Sequence, residues 1–351
     1  MPSTHFFTRL TQWEYYPWWL ANIPVCGYWL WFAARARHLI FFSNVNPGIP
    51  LGGAMGESKW DILELLPPEI LPKTIPVQAG EDFVNILTAL DRAAIGFPLI
   101  AKPDVGERGF LVKKVESPEI LRDYLSRWNV PFILQEFITL PVEASVLYHI
   151  FPGEGGQFGI SSVCLKEFLS VRGDGISSIG HLMAQNARSA FQLPRFEQDF
   201  PDILKKIPAL EEPILLEPIG NHSRGTKFLY GNHLITPEML AVFEPICRQI
   251  PGVQYARFDL KSESLEALQR GEFKVMELNG VLGEPAHIYD PAYGMIRAYR
   301  DLYQHWRLLF RLHRAQRKLG HYPTPPGEAL RFARGYFQYK KQLEIIGKSS
   351  V

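Results

Sequence analysis

The sequence predicts a mixed α/β chain of the α+β kind, and three features predict it. Tyr255–Lys261 and Glu272–Leu278 alternate or run apolar like neighbouring strands, joined through the polar segment Ser262–Gly271. Phe97–Lys102 and Phe110–Val115 flank a glycine-containing loop in the same way. Between such strands, Glu81–Ala94 reads as an amphipathic helix, and a second helix is expected at Pro118–Trp128.

A chain of 351 residues has room for two or three lobes with real cores, and 46% hydrophobic with 21% charged residues is ordinary for a globular protein. The net charge of +1 gives no overall signature of nucleic-acid binding. Charge is unevenly spread, since residues 297–351 hold twelve Lys/Arg against three acids. Cys26, Cys164 and Cys247 are odd in number and far apart, with no C-x-x-C spacing. That usage fits a reducing cytoplasm, with neither a disulfide framework nor a zinc site. The first residues lack a basic start followed by a clean apolar run and a cleavage site, so no secretory signal is expected.

The segment to about Gly56 is expected to form a couple of helices, a strand around His38–Ser43 and the turn Asn46-Pro47-Gly48. It is rich in aromatics, with Trp13, Trp18, Trp19, Trp29 and Trp31. Its most apolar part, Trp18–Ala34, is interrupted by Asn22 and Pro24 and falls short of the ~20 residues a spanning helix needs. Two readings stand: the aromatics are the core of a reduced N-terminal lobe, or they form a belt at a membrane interface. A helix over Ser58–Leu66 then runs to the Pro67-Pro68 stop, and the glycines before Lys59 lack the phosphate-loop spacing.

The strand Phe97–Lys102 leads directly into Pro103-Asp104-Val105-Gly106-Glu107-Arg108-Gly109. A lysine held by a strand beside a flexible loop sets a charge and backbone N–H groups where phosphates can be gripped. Phe132–Ile138 is an apolar strand, and Gly159–Ile179 reads as a strand carrying Lys166, the turn Gly173-Asp174-Gly175 and a helix capped near Ser177. The run Gly220-Asn221-His222-Ser223-Arg224-Gly225-Thr226 is suited to an anionic substrate group, with Arg224 forking onto a carboxylate or phosphate, or else is a polar connecting loop. His222 is a candidate base because imidazole titrates near neutrality. On the paired strands near the end, Asp259, Glu277 and Asn279 bring three oxygen ligands to one patch of sheet, the donor type that Mg²⁺ takes. The tail reads as two basic amphipathic helices, Gly294–Leu319 and Glu328–Ile346, in which Arg300, Arg307, Arg311 and Arg314 recur as a solvated face.

The patterns R-x-D then E-x-N, K-P-D-x-G-x-x-G, and G-D-G-x-[ST]-[ST]-I, in this order of function and spread over about Gly52–Pro291, resemble the ATP-grasp superfamily, closest to D-alanine–D-alanine ligases. The resemblance implies an ATP-grasp fold, in which two α+β subdomains clamp ATP. Residues 1–75 would form a reduced N-terminal lobe and residues 76–293 the ATP-grasp domain, divided into a nucleotide clamp over 76–138 and a metal and substrate part over 139–293. Residues 294–351 would be a basic helical extension. It further implies that Lys59, with Lys73 as the alternative, and Lys102 contact phosphates together with Gly106 and Gly109. Gln135, Glu136 and Ile138 would lie at the adenine hinge, Glu143 at the ribose, and Lys166 at a phosphate. Arg257 would stand near the transferring phosphoryl group, and Asp259, Glu277 and Asn279 would hold Mg²⁺, or Mn²⁺ in its place.

The implied reaction is ATP-dependent joining of a small-molecule carboxylate and an amine through an acyl phosphate, releasing ADP and phosphate. Two alternatives stay open, phosphotransfer to a small hydroxyl substrate and a non-catalytic nucleotide-binding protein at a membrane surface. The implied location is cytoplasmic, with the inner membrane face as the alternative, and the family often forms homodimers. The run Gly283–Pro291 and the N-terminal lobe depart from the D-alanine ligase pattern, so dipeptide specificity is not implied; His287 and Tyr289 are candidates for substrate contact.

Overall fold

Strand alternation sorts the chain into two facing sheets. In the computed structural model, residues 16, 18–106, 109–153, 155–218 and 220–349 are described; Trp13 and the loop residues Glu107 and Arg108 lie outside them. The first sheet is antiparallel in the order β1-β4-β2-β3, from β1 (Thr74–Val77), β2 (Leu99–Pro103), β3 (Lys113–Val115) and β4 (Phe132–Glu136). Its inner residues Leu99, Ala101, Phe132 and Leu134 pack against Ile86 and Leu90 of helix Phe83–Arg92 and Leu121 and Tyr124 of helix Pro118–Ser126. Asp82 and Ser117 cap those two helices by accepting from Val84 N and Ile120 N. The opposite face carries Lys102 and Gln135, whose alternation with apolar neighbours follows the period of two.

The second sheet takes the chain through β5 (Val142–Ile150), β6 (Phe158–Glu167), β9 (Lys227–Tyr230), β10 (Tyr255–Ser262) and β11 (Phe273–Asn279), in the order β11-β10-β5-β6-β9. A separate two-stranded ribbon pairs β7 (Ser170–Arg172) with β8 (Pro213–Leu215). One face of the large sheet, with Val146, Phe258, Leu260 and Val275, is sealed by Met239, Phe243 and Cys247 of helix Pro237–Arg248. Its other face is polar where it meets the first sheet and apolar at the far end, where Leu147 and Tyr255 join a second core.

That second core takes in the first helix of the basic C-terminal stretch. Helix Met295–Lys318 buries Leu302, Trp306, Leu309 and Leu312 together with Phe32, Phe41 and Val45 from the N-terminal segment. Its Arg300, Arg307, Arg311 and Arg314 are exposed, as the helical spacing predicts. The last helix, Pro326–Ser349, crosses to the first sheet and inserts Leu343 into its core.

Three local expectations also change. The segment expected as a strand around His38–Ser43 coils instead into a 3₁₀ turn at Phe41–Asn44, with Ser43 N donating to Ile40 O and Val45 N to Phe42 O. Aromatic packing decides this, because Phe41 meets Trp306, Phe310 and His313 at 5.6–6.2 Å. The strand expected from Phe110 starts only at Lys113, since Gly109 and Leu111 both take positive φ. The expected loop Ser262–Gly271 contains a short helix, Leu265–Gln269, capped by Ser264 and burying Ala267 and Leu268. Among the described residues no helix is long and apolar enough to cross a membrane.

Candidate active site

On β10 the odd-numbered residues Arg257, Asp259 and Lys261 leave the core and face the first sheet, while Phe258 and Leu260 fill the core behind them. Cross-strand register extends each into a row. Lys261 opposes Glu143 on β5, which opposes Lys166 on β6; Asp259 opposes Glu277 on β11 and Ser145 on β5; Arg257 opposes Asn279. A bulge between Asp259 and Leu260 inserts an extra β11 residue at Met276.

Two carboxylates placed directly opposite one another repel, so the row needs cations. Asp259 receives them from its own strand and from β6. Its Oδ1 accepts from Arg257 Nε at 3.1 Å and from Ser145 Oγ at 2.7 Å, and its Oδ2 lies 3.6 Å from Lys166 Nζ. Burial alone would raise the Asp259 pKa, but Arg257 and Lys166 outweigh it and hold the carboxyl down at about 2. For Lys166 burial works toward the neutral amine, and Asp259 and Glu143 reverse it, so its pKa is raised. Glu143 Oε1 accepts from Lys166 Nζ at 2.9 Å, and Lys261 Nζ stands 3.8 Å from Glu143 Oε2.

Lys102 reaches this row from the other sheet. Its ammonium donates to Gln135 Oε1 and to the Met276 carbonyl, each at 3.0 Å, and Gln135 Nε2 continues to Thr74 Oγ1 at 3.0 Å. Among the described residues no carboxylate pairs with it directly. Burial pushes the Lys102 pKa down to about 8, with Glu277 and Asp259 drawing it up and Lys59 pressing it further down. Lys59 opens the helix Lys59–Glu64, and its ammonium is gathered by the carbonyls of Gly106 and Asp104. Ser58 caps that helix and also donates to Asp104 Oδ1 at 3.0 Å, which ties the helix start to the glycine-containing loop. Lys73, the alternative, points elsewhere and donates to Ala94 O at 3.1 Å.

The far side of the loop is held by Arg224, whose Nη2 donates to the Gly109 carbonyl at 3.0 Å while Nη1 stands 3.8 Å from the buried Glu217. Arg224 therefore joins the loop to the 221–225 segment. The residues expected at the hinge are likewise engaged. Ile138 O accepts from Lys261 Nζ at 3.2 Å, and Glu136 Oε2 accepts from Lys73 N at 3.2 Å.

Asn279 Nδ2 is buried with no hydrogen-bond partner among the described residues. Its place is fixed by a close backbone approach just beyond it, where Val281 N donates to Gly52 O at 3.1 Å. A Cβ on Gly280 would come within 2.6 Å of Gly53 Cα, so only glycine allows this contact. Two opposed carboxylates and the side-chain carbonyl oxygen of Asn279 are the donor type a hard divalent cation takes, while the unmatched Nδ2 is a donor suited to an oxygen acceptor such as a phosphate. Among the described residues, no group of three or more His, Cys, Asp or Glu forms a metal cluster of its own.

Several residues of this row were not singled out from the sequence. Lys261 and Ser145 continue the polar alternation of β10 and β5, a signal that period-two reading of either strand carries. A buried relay starts in the cross-strand row of Arg257, two strands away beyond Leu147: Ser162 Oγ is 2.7 Å from His287 Nδ1, and His287 Nε2 is 3.1 Å from Asp301 Oδ2. Tyr293 donates to the same carboxylate oxygen, and Tyr230 packs on both His287 and Tyr293. His222 lies against Phe228 and Tyr289 at 5.3 and 5.6 Å, so each histidine is flanked by one ring from β9 and one from the 289–293 segment.

No family model matches the sequence, and no curated protein matches it. Among solved structures, the chain is similar to a bifunctional glutathione synthetase from Pasteurella multocida, at 16% identity over 72% of this chain and 36% of that one, with a TM-score of 0.38. It is also similar to VanG D-Ala:D-Ser ligase from Enterococcus faecalis, at 13% identity over 73% and 61%, TM-score 0.43. A third is D-alanine–D-alanine ligase from Bacillus anthracis complexed with ATP, at 15% identity over 74% and 67%, TM-score 0.42. The chain thus spans about a third of the first protein's length and about three fifths of the second's.

Proposed function

We propose that the chain is an ATP-dependent carboxylate–amine ligase of the ATP-grasp type. The observation that carries this reading is Lys102, a buried lysine that crosses from one sheet to the other without a carboxylate of its own, beside the opposed pair Asp259 and Glu277. An unpaired, desolvated ammonium is a site for an anion that arrives from outside.

In this reading Lys102 and Lys59 bind phosphate oxygens, and Gly106 and Gly109 bring the loop backbone over them. Gln135, Glu136 and Ile138 border the adenine and Glu143 the ribose. Asp259, Glu277 and Asn279 would hold Mg²⁺ or Mn²⁺, which supplies charge neutralisation at the phosphates when bound. Arg257 is aimed by its bonds to Asp259 and to the Glu284 carbonyl at 3.2 Å, which fixes a guanidinium where charge develops on the transferring group. Lys166, locked onto Glu143 and Asp259, sets the field of the row. Arg224 holds the loop at Gly109 and borders the anionic substrate. His222, His287 and Tyr289 line the side from which the amine would approach.

Incubation with Mg·ATP, hydroxylamine and a panel of amino-acid, hydroxy-acid and fatty carboxylates tests the reading. Hydroxamate together with ADP from one acid supports ligation through an acyl phosphate. ADP with the phosphate found on a hydroxyl acceptor replaces it with phosphotransfer. Tight Mg·ATP binding with no product from any acid or acceptor replaces it with a nucleotide-binding scaffold.

A further inference from the structure

The N-terminal helix Trp18–Ala36 is not amphipathic, because both of its faces are apolar. Val25, Phe32, Ala33 and Ala36 enter the core against helix Met295–Lys318. The other side presents Ile23, Cys26, Gly27, Leu30, Trp31 and Ala34, all exposed and spaced three or four residues apart. Ile23 and Trp31 each leave 58% of their surface open and Leu30 leaves 51%. A contiguous outward apolar face of this kind marks a surface that something covers.

What surrounds the ridge selects the occupant. Helix Met295–Lys318 runs beneath it in the same direction, with Tyr299 donating to Ala21 O at 3.0 Å, Tyr28 packing on Tyr303 and Phe32 on Phe310. Its outward side is a run of cations, Arg297, Arg300, Arg307, Arg311, Arg314 and Lys318, all exposed. Arg35 of the upper helix lies over Phe310 of the lower at 5.5 Å, so the apolar ridge and the basic stripe meet. The single acid in the two helices, Asp301, turns its Oδ2 inward to His287 and Tyr293, and its Oδ1 stands 3.5 Å from Arg300 Nε, leaving the other stripe cations without a carboxylate from these helices. The start of the lower helix adds the exposed Met295 and Ile296, at 42% and 84%.

We infer that this surface docks on an anionic membrane interface, with helix Trp18–Ala36 lying in the plane of the bilayer surface. The ridge, with Trp31 at its centre, enters the headgroup region, and the arginines beside it meet lipid phosphates. An apolar helix face flanked by arginines and lacking outward carboxylates is the pattern of an interfacial helix. A protein partner of the same reach would be selected by pairs of both signs at the rim, and these two helices offer one sign only.

Flotation of the full chain with vesicles of phosphatidylcholine alone, and of phosphatidylcholine mixed with phosphatidylglycerol, tests the proposal. The protein is expected to float with the mixed vesicles and not the neutral ones, and to detach as salt is raised. R307E with R314E removes two exposed cations, and at about one kcal/mol per cation partitioning should fall by about thirtyfold or more. L30E with W31E should abolish flotation while the far-ultraviolet spectrum and melting temperature stay those of the wild type. Equal flotation on neutral vesicles, or indifference to both pairs of substitutions, overturns the proposal. So does a dimer that L30E with W31E converts to monomer without changing flotation, because the ridge would then be a contact between copies of the chain.

Discussion

Lys102 and Lys166 are two buried lysines on facing sheets, and their surroundings give them opposite characters. Lys166 sits between Glu143 and Asp259, and its charge is fixed by them. Lys102 donates only to an amide oxygen and a backbone carbonyl, and burial depresses its pKa to about 8. The first lysine is matched by the protein's own carboxylates; the second has no ion-pair partner among the described residues. Under the proposed function, the difference separates groups that build the row of Asp259, Glu277, Arg257 and Asn279 from the group that would meet an anion.

The comparison is broken most severely at the carboxylates. Glu277→Gln keeps the side-chain shape and removes the charge opposite Asp259, so turnover in the hydroxylamine assay should fall by at least about a hundredfold with the fold intact. Wild-type turnover in that variant would remove Glu277 from the site. Next come the lysines themselves. Lys166→Met takes the nearest cation from Glu143 and one of two from Asp259, which keeps Arg257, and should cost about 3 kcal/mol of stability in a denaturant melt. Lys102→Met removes a desolvated cation along with two neutral acceptors' bonds, and should cost less than about 1 kcal/mol while weakening Mg·ATP binding in calorimetry. If the two variants melt alike, the distinction drawn between them fails.

Acid–base behaviour gives a further separation. Lys102 has its folded pKa below the ordinary value of 10.5, so between about 8 and 10.5 the unfolded chain holds the extra proton and this group's penalty on folding is relieved as pH rises. Over the same interval the folded protein loses the cation that would meet phosphate. Calorimetric affinity for Mg·ATP is therefore expected to decline above pH about 8 in the wild type and to lose that decline in Lys102→Met. An unchanged slope in the variant would assign the titration to another group.

The paired strands around Asp259 and Glu277 were legible because the period of two and a short polar connection fix their neighbours, and Lys102 was legible because its strand ends one residue later, at Pro103, before the glycine-containing loop. The bulge at Asp259 was not, since one extra residue shifts register without changing composition. The Ser162–His287–Asp301 relay was also hidden, because Ser162 and His287 are 125 residues apart and meet only once the sheet and its covering helix have assembled. Nor does sequence reveal that Lys166 is already neutralised. A lysine on a strand reads the same with or without a carboxylate across from it, and only the registers Glu143 to Lys166 and Asp259 to Ser145 decide the matter.

The mildest test lies one layer behind the carboxylates. Ser145 Oγ donates to Asp259 Oδ1 at 2.7 Å from the neighbouring strand, a hydrogen bond that stabilises the ionised carboxylate only. Asp259 is held at about 2 against an ordinary value of 3.8, so its contribution to stability is present above about 3.8 and lost as pH falls toward 2. Ser145→Ala should cost about 1.5 kcal/mol at neutral pH, the range for a bond to a charged group, and should raise the lower end of this acid loss from about 2 toward the ordinary carboxylate pKa, so that the loss is smaller and complete at higher pH. Lys102 and its bonds are untouched by the change, so the Mg·ATP affinity profile above pH 8 should keep its wild-type shape. Movement of both limbs together would mean that the two lysine environments are coupled through Asp259, and the division between built charge and waiting charge would have to be redrawn.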